Sequence, residues 1–377
     1  MKRSLHAFIV LWLLLMAAVP LHNLMQRGPS EVLQQAQSGR GLSGLREAFF
    51  NLDQLSQLWA KVVQPLGIST DPRQVVIGRD GWLYLGDQYV ATLTATRTGL
   101  TERDAQQAHG ISESMMEWNA WLSRQGVSAF RIMIGPNKDS VHPEGLPGWA
   151  TPRQPAKVHA LATSAAGALY VDLRDGLRQQ AMLETEPLYY RTDTHWNALG
   201  AVHALRIFAA SLDNVNLGLS WPTDDGIQIV RIDSRRGGDL ARFLRMQDSL
   251  LDREPVIDLP LVRPLDTAVV DIDTNELVRS GGNAEVSYPK QSVLVSSPQA
   301  LNQRRVLWVR DSFGSALSPY MAATFREVVQ LHYDKALADD GERLAEIVRQ
   351  WKPDFVFITV VERQALLKVF LARPPGN

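Results

Sequence analysis

The sequence predicts an α/β fold with a mainly parallel sheet. Short apolar runs typical of buried strands alternate with stretches that repeat apolar residues at helical spacing, first over residues 101–213 and again after residue 305. Alternation of this kind places helices on both faces of a parallel sheet. With 377 residues, 45% of them hydrophobic, the chain can bury a full core. Residues 214–300 are less regular, and their strand-like runs predict a β-rich insertion between the two halves of the domain.

Residues 1–25 are predicted to form a signal anchor or a signal peptide. Lys2 and Arg3 precede an apolar run over 7–21 that is broken only by Pro20. The run is longer than a typical signal-peptide core and shorter than the roughly 20 residues of a full membrane span. Because no clean small-x-small cleavage site follows, a retained membrane helix is favoured over a cleaved signal. Both alternatives send the rest of the chain out of the cytoplasm.

The next segments lead into the domain. Residues 26–45 are rich in Gln, Ser and Gly and predict a tether, so the domain is expected to cover 46–377. Apolar residues at helical spacing predict a helix over 45–66. Over 75–86, two apolar runs flank Arg-Asp-Gly and predict a β-hairpin in which Gly81 takes a positive φ.

The body of the domain is predicted to alternate helices and strands. Thr101 is a typical N-cap for a strongly amphipathic helix over 101–125. Further strands are predicted at 130–134, 169–172, 305–309, 328–331 and 354–360, with strand-like runs in the insertion at 227–232, 268–272 and 293–295. Further helices are predicted at 155–166, 177–183, 198–212, after residue 312, at 341–350 and at the C-terminus.

Composition and motifs exclude several classes of function. The net charge of −1 and the pI near 6.7 give no field that would hold a polyanion, so we expect no nucleic-acid partner. The absence of cysteine excludes disulfides, thiolate metal sites and a cysteine nucleophile. The eight histidines do not cluster at metal-ligand spacing, and there is no glycine-rich phosphate loop. We therefore expect neither a metal nor a bound cofactor.

One pair of residues and one distant serine predict a catalytic site. Asp193 and His195 are two residues apart, so an extended backbone would place them on the same face, with the carboxylate orienting the imidazole. Ser312 follows the apolar run 306–309, where a strand that ends in a tight turn before a helix would expose a hydroxyl beside backbone N–H donors.

Each of these residues also has a structural interpretation. Ser312 or Asp311 could cap the following helix, Asp193 could cap the helix after it, and His195 could be a hydrogen-bonded structural residue. A Ser312/His195/Asp193 triad and these structural roles remain about equally supported by the residues alone. Trp196, Trp308 and Tyr320 could stack on sugar rings near such a site, although burial in the core is the favoured role for each.

Several motifs in chain order resemble a known family. The chain resembles the bacterial exopolysaccharide O-acetyltransferases of the alginate type, whose soluble domains are similar to SGNH hydrolases. The resemblance runs from about residue 70 to 363. It is carried by Gly78-Arg79-Asp80-Gly81-Trp82-Leu83-Tyr84, Pro136-Asn137-Lys138, Pro143-Glu144-Gly145-Leu146-Pro147, Asp193-Thr194-His195-Trp196-Asn197, Gly238-Asp239-Leu240, Arg310-Asp311-Ser312-Phe313-Gly314 and Lys352-Pro353-Asp354 with Glu362-Arg363.

The resemblance implies a three-layer α/β/α fold and a role for each site residue. Ser312 would be acetylated, with His195 as general base and acid, Asp193 orienting it, and the backbone N–H of Ser312 holding the oxyanion. Arg310 stands where the wider superfamily has glycine before the Asp-Ser pair, which puts the geometry of the turn in question. Asn137 is a candidate second oxyanion donor, with a turn or capping role as its alternative, and Arg310 is a further candidate for contact with the oxyanion or the substrate.

The resemblance also implies partners and a location. The acetyl group would originate from acetyl-CoA and arrive through a multi-pass membrane-bound O-acyltransferase, alongside other polysaccharide-synthesis proteins. The catalytic domain would lie in the periplasm, anchored to the inner membrane or released after signal cleavage. The acceptor would be an exopolysaccharide, with alginate and cellulose both open. The alternatives are a carbohydrate acetylesterase that uses the same triad and a non-catalytic polysaccharide-binding subunit.

Overall fold

The computed structural model describes residues 2–38, 43–44, 49–51, 53–213, 217–262, 264–287 and 291–376. Its helices are α1 Lys2–Arg27, α2 Pro29–Ser38, α3 Asp53–Val63, α4 Thr92–Thr98, α5 Glu102–Arg124, α6 Lys138–Val141, α7 His159–Ala162, α8 Arg174–Leu183, α9 Ala198–Asp213, α10 Asp239–Phe243, α11 Ser318–Thr324, α12 Tyr333–Ala336 and α13 Glu342–Trp351. Its strands are β1 Val75–Ile77, β2 Leu83–Leu85, β3 Ala129–Gly135, β4 Tyr170–Asp172, β5 Gln228–Arg236, β6 Leu251–Asp258, β7 Ala268–Asp271, β8 Leu277–Ser280, β9 Val293–Ser296, β10 Asn302–Arg310, β11 Phe325–Leu331 and β12 Phe355–Val361.

The chain divides into two compact units. One contains the described residues before Asp71 together with Leu244–Met246, and the other contains the described residues of Asp71–Phe243 and Gln247–Asn377. The sheet and the predicted site residues all belong to the second unit. This unit begins later than the predicted domain boundary at residue 46.

The first unit is helical. The segment predicted as a tether contains α2, although parts of that segment, residues 39–42 and 45, lie outside the described residues. The described part of the helix predicted over 45–66 contains α3. The side-chain amide of Asn23 donates to the carbonyl oxygens of Phe49 and Asn51, both at 3.0 Å, and ties α1 to that later segment.

The prediction of an N-terminal membrane helix is not supported. Among the residues that the structure describes, no helix has both the length and the apolar character needed to cross a membrane.

The second unit is built on an eight-stranded sheet in the described part of the chain, with the order β4-β3-β12-β10-β11-β9-β7-β8. The neighbours from β4 to β11 pair in parallel, and β11, β9, β7 and β8 pair antiparallel. Parallel strands require crossover connections, which explains the alternation of helices and strands in the sequence. The sheet is therefore parallel in its first part and antiparallel at the other edge.

Helices cover both faces of this sheet. Along β10 and β12, successive side chains point to opposite faces, and they enter two separate hydrophobic clusters. Val306, Trp308 and Phe357 pack in a cluster with α9, whereas Leu307 and Ile358 pack in a cluster with α5 and α13. This arrangement accounts for the apolar character of both strands and forms three layers, α/β/α.

The described part of the predicted β-rich insertion contributes strands to two sheets. Strands β7, β8 and β9 lie within residues 214–300 and extend the main sheet beyond β11. Strands β5 and β6 form a separate two-stranded ribbon. The sequence could not distinguish these cases because alternating apolar residues specify a half-buried strand and leave its partner unspecified.

Local signals predicted several elements well. The hairpin β1–β2 is antiparallel, and Gly81 has a φ of +79°. Helix α5 begins with a capping box in which Thr101 and Asp104 satisfy each other's backbone N–H groups. The helix predicted over 155–166 is reduced to α7, and just beyond its end Ser164 Oγ donates to the carbonyl oxygen of Leu161 at 2.7 Å, a local bond that competes with helix continuation.

Candidate active site

The predicted nucleophile, Ser312, lies just beyond the carboxyl end of β10, a central strand of the sheet. Asp311 caps the short helical turn Ser312–Gly314, since its Oδ1 accepts from the backbone N–H of Phe313 at 2.9 Å. Its Oδ2 accepts from the N–H of Val361 at 2.8 Å and joins the turn to the end of β12. The capping role therefore falls to Asp311, and the hydroxyl of Ser312 is left for other partners.

Arg310 supports this nucleophile turn (residues 311–314) from inside the protein. Its side chain is fully buried, and its guanidinium donates to Gln330 Oε1 at 2.9 Å, to the Asp311 carbonyl at 3.0 Å and to the Val286 carbonyl at 2.7 Å. Burial lowers the pKa of Arg310 to about 10. The residue that replaces glycine before the Asp-Ser pair thus braces the turn and does not line the neighbouring cleft.

The second half of the site is a loop, residues 190–196, which we call the histidine loop. The sequence predicts an extended backbone from Asp193 to His195, but the structure shows a bend at these positions. Asp193 Oδ1 accepts from the backbone N–H of His195 at 3.1 Å, a local bond typical of Asx turns. This turn brings the two side chains together without a strand.

The structure brings the three predicted residues into one hydrogen-bonded chain. His195 Nδ1 lies 2.6 Å from Asp193 Oδ1, and His195 Nε2 lies 2.9 Å from Ser312 Oγ. The imidazole therefore lies between the carboxylate of Asp193 and the hydroxyl of Ser312, two residues that are 119 positions apart in sequence. This order of contacts matches that of a serine hydrolase triad.

The electrostatics of the pair favour a proton on His195 Nδ1. Burial raises the pKa of Asp193, but the hydrogen bond and the charge of His195, with Arg235, outweigh it and hold that pKa well below its usual range. Burial lowers the pKa of His195, but the bond to Asp193 and the charges of Asp193 and Asp239 leave it raised. With Asp193 ionised and accepting, Nδ1 is the donor and Nε2 faces the serine.

Lys138, just beyond the carboxyl end of β3, holds the histidine loop in place. Its buried ammonium donates to the carbonyl oxygens of Tyr190 at 3.1 Å, Arg191 at 3.0 Å and Asp193 at 2.7 Å. Burial lowers the pKa of Lys138 to about 8, against the opposing charges of nearby aspartates. A lysine with three backbone acceptors satisfies all its donors, which explains how it can be buried.

Two aspartates hold the other side of the loop in the same way. Asp239 accepts from the N–H of Thr194 at 2.8 Å and from its hydroxyl at 2.5 Å. Asp252 accepts from the N–H of Thr192 at 3.1 Å and from its hydroxyl at 2.5 Å. Burial and the charge of Asp193 raise the pKa of Asp239.

Gly238 is packed directly against the orienting carboxylate. A Cβ at this position would lie 2.2 Å from Asp193 Oδ2, so no larger residue fits without moving Asp193. The N–H of Asp239 donates to the same oxygen at 3.3 Å, and Arg235 lies 3.6 Å from it. The Gly238-Asp239 pair thus shapes the far side of Asp193.

The hydrogen-bonded chain opens into a polar cleft of about 400 Å³. Besides Asp193, His195 and Ser312, its lining includes Arg235, Arg242, Gln247 and Glu285. An open cleft with charged and amide side chains suits a polar ligand with many hydroxyl groups.

The other predicted site residues lie away from this cleft or are covered. Asn137 lines a second cavity of about 200 Å³, and its Oδ1 accepts from Arg363 Nη1 at 3.1 Å. Trp196 borders the cleft but is 1% exposed, and its indole N–H donates to the Phe313 carbonyl at 3.0 Å. Tyr320 is partly buried and packs against the hydrophobic cluster that contains Trp196 and Trp308. Trp196 and Trp308 are buried in that core.

One group of residues has the spacing of metal ligands in the described part of the chain. Asp193, His195 and Asp239 place ligand atoms within 4.8 Å of one another. His195 Nδ1 is already bonded to Asp193, and both oxygens of Asp239 are bonded to Thr194. These engaged atoms give no reason to assign a metal here, and the absence of a metal from the reaction stays a prediction.

Sequence reasoning missed the residues that support the histidine loop. Lys138 and Asp239 stand in Pro136-Asn137-Lys138 and Gly238-Asp239-Leu240, two of the motifs that carry the family resemblance, but no role was assigned to them. Lysine is rarely buried, so its position next to the loop had no signal in composition. Asp252 lies in an irregular segment and had no motif at all.

Comparisons with known proteins concern the family and the fold of the chain. The model of the family described as "SGNH hydrolase-like domain, acetyltransferase AlgX" matches residues 75–260, a range that contains Asp193, His195 and Asp239 but ends before Ser312. The chain is 28% identical over 216 residues to the "Probable alginate O-acetylase AlgJ" of Pseudomonas aeruginosa, which covers 55% of this chain and 49% of the relative. The chain thus spans about half the length of that curated relative.

Solved structures show a similar fold. Bacillus cereus PatB1, determined with a sulfonyl adduct, has a TM-score of 0.55 and 13% identity, and the match covers 80% of this chain and 100% of that one. A DHHW family protein from Eubacterium siraeum has a TM-score of 0.52 and 15% identity, with 82% and 98% covered. At such low identity these likenesses concern the fold alone. Residues 75–260, just under half of the chain, are similar to the SGNH hydrolase-like family of the acetyltransferase AlgX.

Proposed function

We propose that the protein is an O-acetyltransferase that carries an acetyl group on Ser312 and transfers it to a hydroxyl of a bacterial exopolysaccharide. The observation that carries the proposal is the chain of hydrogen bonds from Asp193 to His195 and from His195 to Ser312, 2.6 and 2.9 Å long, in the wall of an open polar cleft. The match to the AlgX acetyltransferase family over 75–260 supports the acetyl-transfer chemistry.

In the first half-reaction, Ser312 Oγ bonds to the carbonyl carbon of an acetyl donor. The hydroxyl proton passes to His195 Nε2, and the carbonyl oxygen becomes an oxyanion. When the tetrahedral intermediate collapses, the bond to the leaving group breaks and the leaving group takes the proton from His195. Acetyl-Ser312 remains, and Asp193 has stabilised the transient imidazolium throughout.

In the second half-reaction, a sugar hydroxyl in the cleft takes the place of the leaving group. Its oxygen bonds to the acetyl carbon while His195 Nε2 takes its proton, and collapse of this second intermediate releases Ser312 Oγ, which regains the proton. The backbone N–H of Ser312 is the oxyanion donor in this scheme. Asn137 is left out of it because its side chain faces the second cavity and Arg363.

The acceptor we propose is an alginate-type polysaccharide. The relative from Pseudomonas aeruginosa carries alginate O-acetylase in its name. Arg235 and Arg242 line the cleft, where guanidinium groups can meet the carboxylates of an acidic polymer. Cellulose, the other acceptor that the sequence left open, has no carboxylate that could bind these guanidinium groups.

The donor and the location follow from the same proposal. An acetyl group that originates from cytoplasmic acetyl-CoA would reach a periplasmic enzyme through a multi-pass membrane-bound O-acyltransferase, with other polysaccharide-synthesis proteins handling the polymer. The basic and then apolar start of the sequence supports export.

The test is a transfer assay with the purified protein, a chromogenic acetyl ester and mannuronate oligosaccharides. We expect acetylated oligosaccharide with the wild-type protein, and a loss of about 10⁴-fold or more in its rate of formation with Ser312→Ala. Mass spectrometry of protein quenched during turnover should find one added acetyl group on the peptide that contains Ser312.

Each outcome distinguishes the alternatives. Free acetate without acetylated sugar would assign the protein as an acetylesterase with the same nucleophile. Equal activity of wild type and Ser312→Ala would refute both enzymes and favour a polysaccharide-binding subunit. Neutral cello-oligosaccharides acetylated as fast as mannuronate would refute the acidic acceptor.

A further inference from the structure

The hydroxyl of Thr194 lies between His195 and the second aspartate of the site. Thr194 Oγ1 is 3.3 Å from His195 Nδ1 and 2.5 Å from Asp239 Oδ2. Asp239 also accepts from the backbone N–H of Thr194 at 2.8 Å, so its two oxygens hold both donors of this residue. The carboxylate itself is farther from the ring, at 3.8 Å from Nδ1.

The number of protons decides which way the Thr194 hydroxyl can act. A hydroxyl has one proton to donate, and an ionised carboxylate can only accept. The proton of Thr194 Oγ1 is therefore directed to Asp239, and a lone pair is left to face His195 Nδ1. This lone pair of Thr194 Oγ1 can face a proton on His195 Nδ1. It would repel a lone pair on His195 Nδ1, so it disfavours the tautomer that lacks the Nδ1 proton.

We propose that Asp239 is a positioning residue that fixes the direction of the Thr194 hydroxyl and thereby holds His195 in the tautomer with its proton on Nδ1 and its lone pair toward Ser312. The proposal rests on the proposed transfer through Ser312, where only this tautomer can accept the serine proton. Asp193 is the primary partner of His195 Nδ1. The Asp239–Thr194 pair disfavours the other tautomer, in which the proton is on Nε2.

The loop contains its own control for this idea. Asp252 grips Thr192 through the same two bonds, to the N–H and to the hydroxyl. The Thr192 hydroxyl, however, accepts from the N–H of Gly238 at 2.8 Å. Asp252→Asn therefore disturbs an equivalent pair of hydrogen bonds on the same loop, but at a hydroxyl that bonds to a backbone N–H and not to His195.

The substitution Asp239→Asn reverses the direction of one hydrogen bond. The new side-chain oxygen must stay toward the N–H of Thr194, which places the amide NH₂ toward Thr194 Oγ1. The hydroxyl then accepts from the amide, and its own proton is free to point at His195 Nδ1. We expect kcat to fall by roughly tenfold or more, with KM little changed.

Removal of the Thr194 hydroxyl should abolish the loss of kcat caused by Asp239→Asn. Thr194→Val keeps the shape and the backbone N–H but has no proton to misdirect, so a decrease in kcat of only a few-fold is expected. The double variant Thr194→Val/Asp239→Asn should then be about as active as Thr194→Val alone. A coupling of roughly tenfold between the two positions is the signature of action through the hydroxyl.

A spectroscopic measurement tests the tautomer without reference to activity. Nitrogen-15 NMR of the histidine side chains reports which ring nitrogen carries the proton, with the His195 signals assigned by their loss in His195→Gln. We expect an Nδ1 proton in wild type, Thr194→Val and Asp252→Asn, and an increased Nε2-protonated fraction only in Asp239→Asn.

The readouts separate this inference from the proposed function. A tautomer shift in Asp239→Asn together with a wild type that transfers no acetyl group would reject the function and keep the role of Asp239. An unchanged tautomer in Asp239→Asn would overturn the proposal, as would additive losses in the double variant or an equal tautomer shift in Asp252→Asn.

Discussion

The two halves of the candidate site are built in opposite ways. The nucleophile turn sits on the end of a central strand, and its cap, Asp311, bonds to backbone N–H groups of its own turn and of the adjacent strand. The histidine loop has no regular structure and is held by side chains from distant segments: Lys138, Asp239 and Asp252. The comparison indicates that the end of a strand positions the serine, with the adjacent Arg310 and Asp311 bracing its turn, whereas side chains from distant segments position the histidine.

The largest expected effect compares the two aspartates of the site. Asp193→Asn should lower kcat by about 10⁴-fold, because an amide can favour the wrong tautomer of His195 and cannot stabilise an imidazolium. Asp311→Asn keeps one acceptor for the two N–H groups that Asp311 bonds, and should cost about 1–3 kcal/mol of stability with a much smaller loss of kcat. Steady-state transfer kinetics and urea unfolding of both variants measure the difference. Equal losses of kcat would contradict the division of roles.

The second prediction tests the buried cation under the histidine loop. Lys138→Met leaves three carbonyl oxygens without their donor, so the free energy of unfolding should fall by about 3 kcal/mol and kcat should fall with it. Lys157→Met is the matched control, since Lys157 makes a partly exposed ion pair with Asp104 at 3.2 Å. That pair should contribute less than about 1 kcal/mol. Similar unfolding curves for the two variants would show that Lys138 is not needed to hold the loop.

The third prediction concerns the space behind Asp193. Gly238→Ala adds a Cβ that would lie 2.2 Å from Asp193 Oδ2, so the carboxylate must move away from its place beside His195. We expect kcat to fall by roughly tenfold or more, with a stability loss of about 1–3 kcal/mol from overpacking. In Gly148→Ala the new Cβ meets only the flexible end of Arg79, at 3.3 Å, and both quantities should stay near wild type. Wild-type kcat in Gly238→Ala would refute this account of the close approach.

The same comparison explains how much the sequence could predict. The turn at Ser312 follows a buried apolar strand, a local pattern that can be read directly, and the strand was expected at 305–309 and found as β10. The pairing of His195 with Asp193 also came from local spacing, although an Asx-type bond and not an extended strand brings them together. Contacts between residues 45–60 apart in sequence, such as Asp239 with Thr194, leave no periodic pattern and could not be predicted from one chain.

The fold shows the same limit. Helix α5 and its capping box, and the hairpin around Gly81, depend on neighbours in sequence and were predicted. The addition of β7, β8 and β9 to the main sheet depends on which strand edges meet in space, and the strand-like runs over 214–300 did not indicate it. Local chemistry determines the elements, and long-range packing determines their partners.

The smallest expected effect is a shift in the pH dependence of the reaction. Burial lowers the pKa of His195, but Asp193 and Asp239 outweigh both burial and the charge of Arg363 and raise that pKa above its ordinary value of 6.5. A general base must be neutral, so kcat/KM should rise with pH through a midpoint above 6.5. The sign for stability is opposite: the His195–Asp193 pair contributes fully below pH 6.5 and loses its contribution as pH rises through the raised pKa.

A second histidine provides the control for this prediction. His203 also pairs with a carboxylate, Glu184 at 2.7 Å, but burial and the charge of Arg206 leave its pKa lowered. His203→Asn should therefore leave the acidic limb of the kcat/KM profile where it is in wild type. A midpoint at or below 6.5 in the wild-type profile, or a limb that moves with His203→Asn, would show that His195 is not the group that must lose its proton. Since the two main carboxylates that raise the pKa, Asp193 and Asp239, both lie on the histidine side, the profile also measures how strongly charge determines that half of the site.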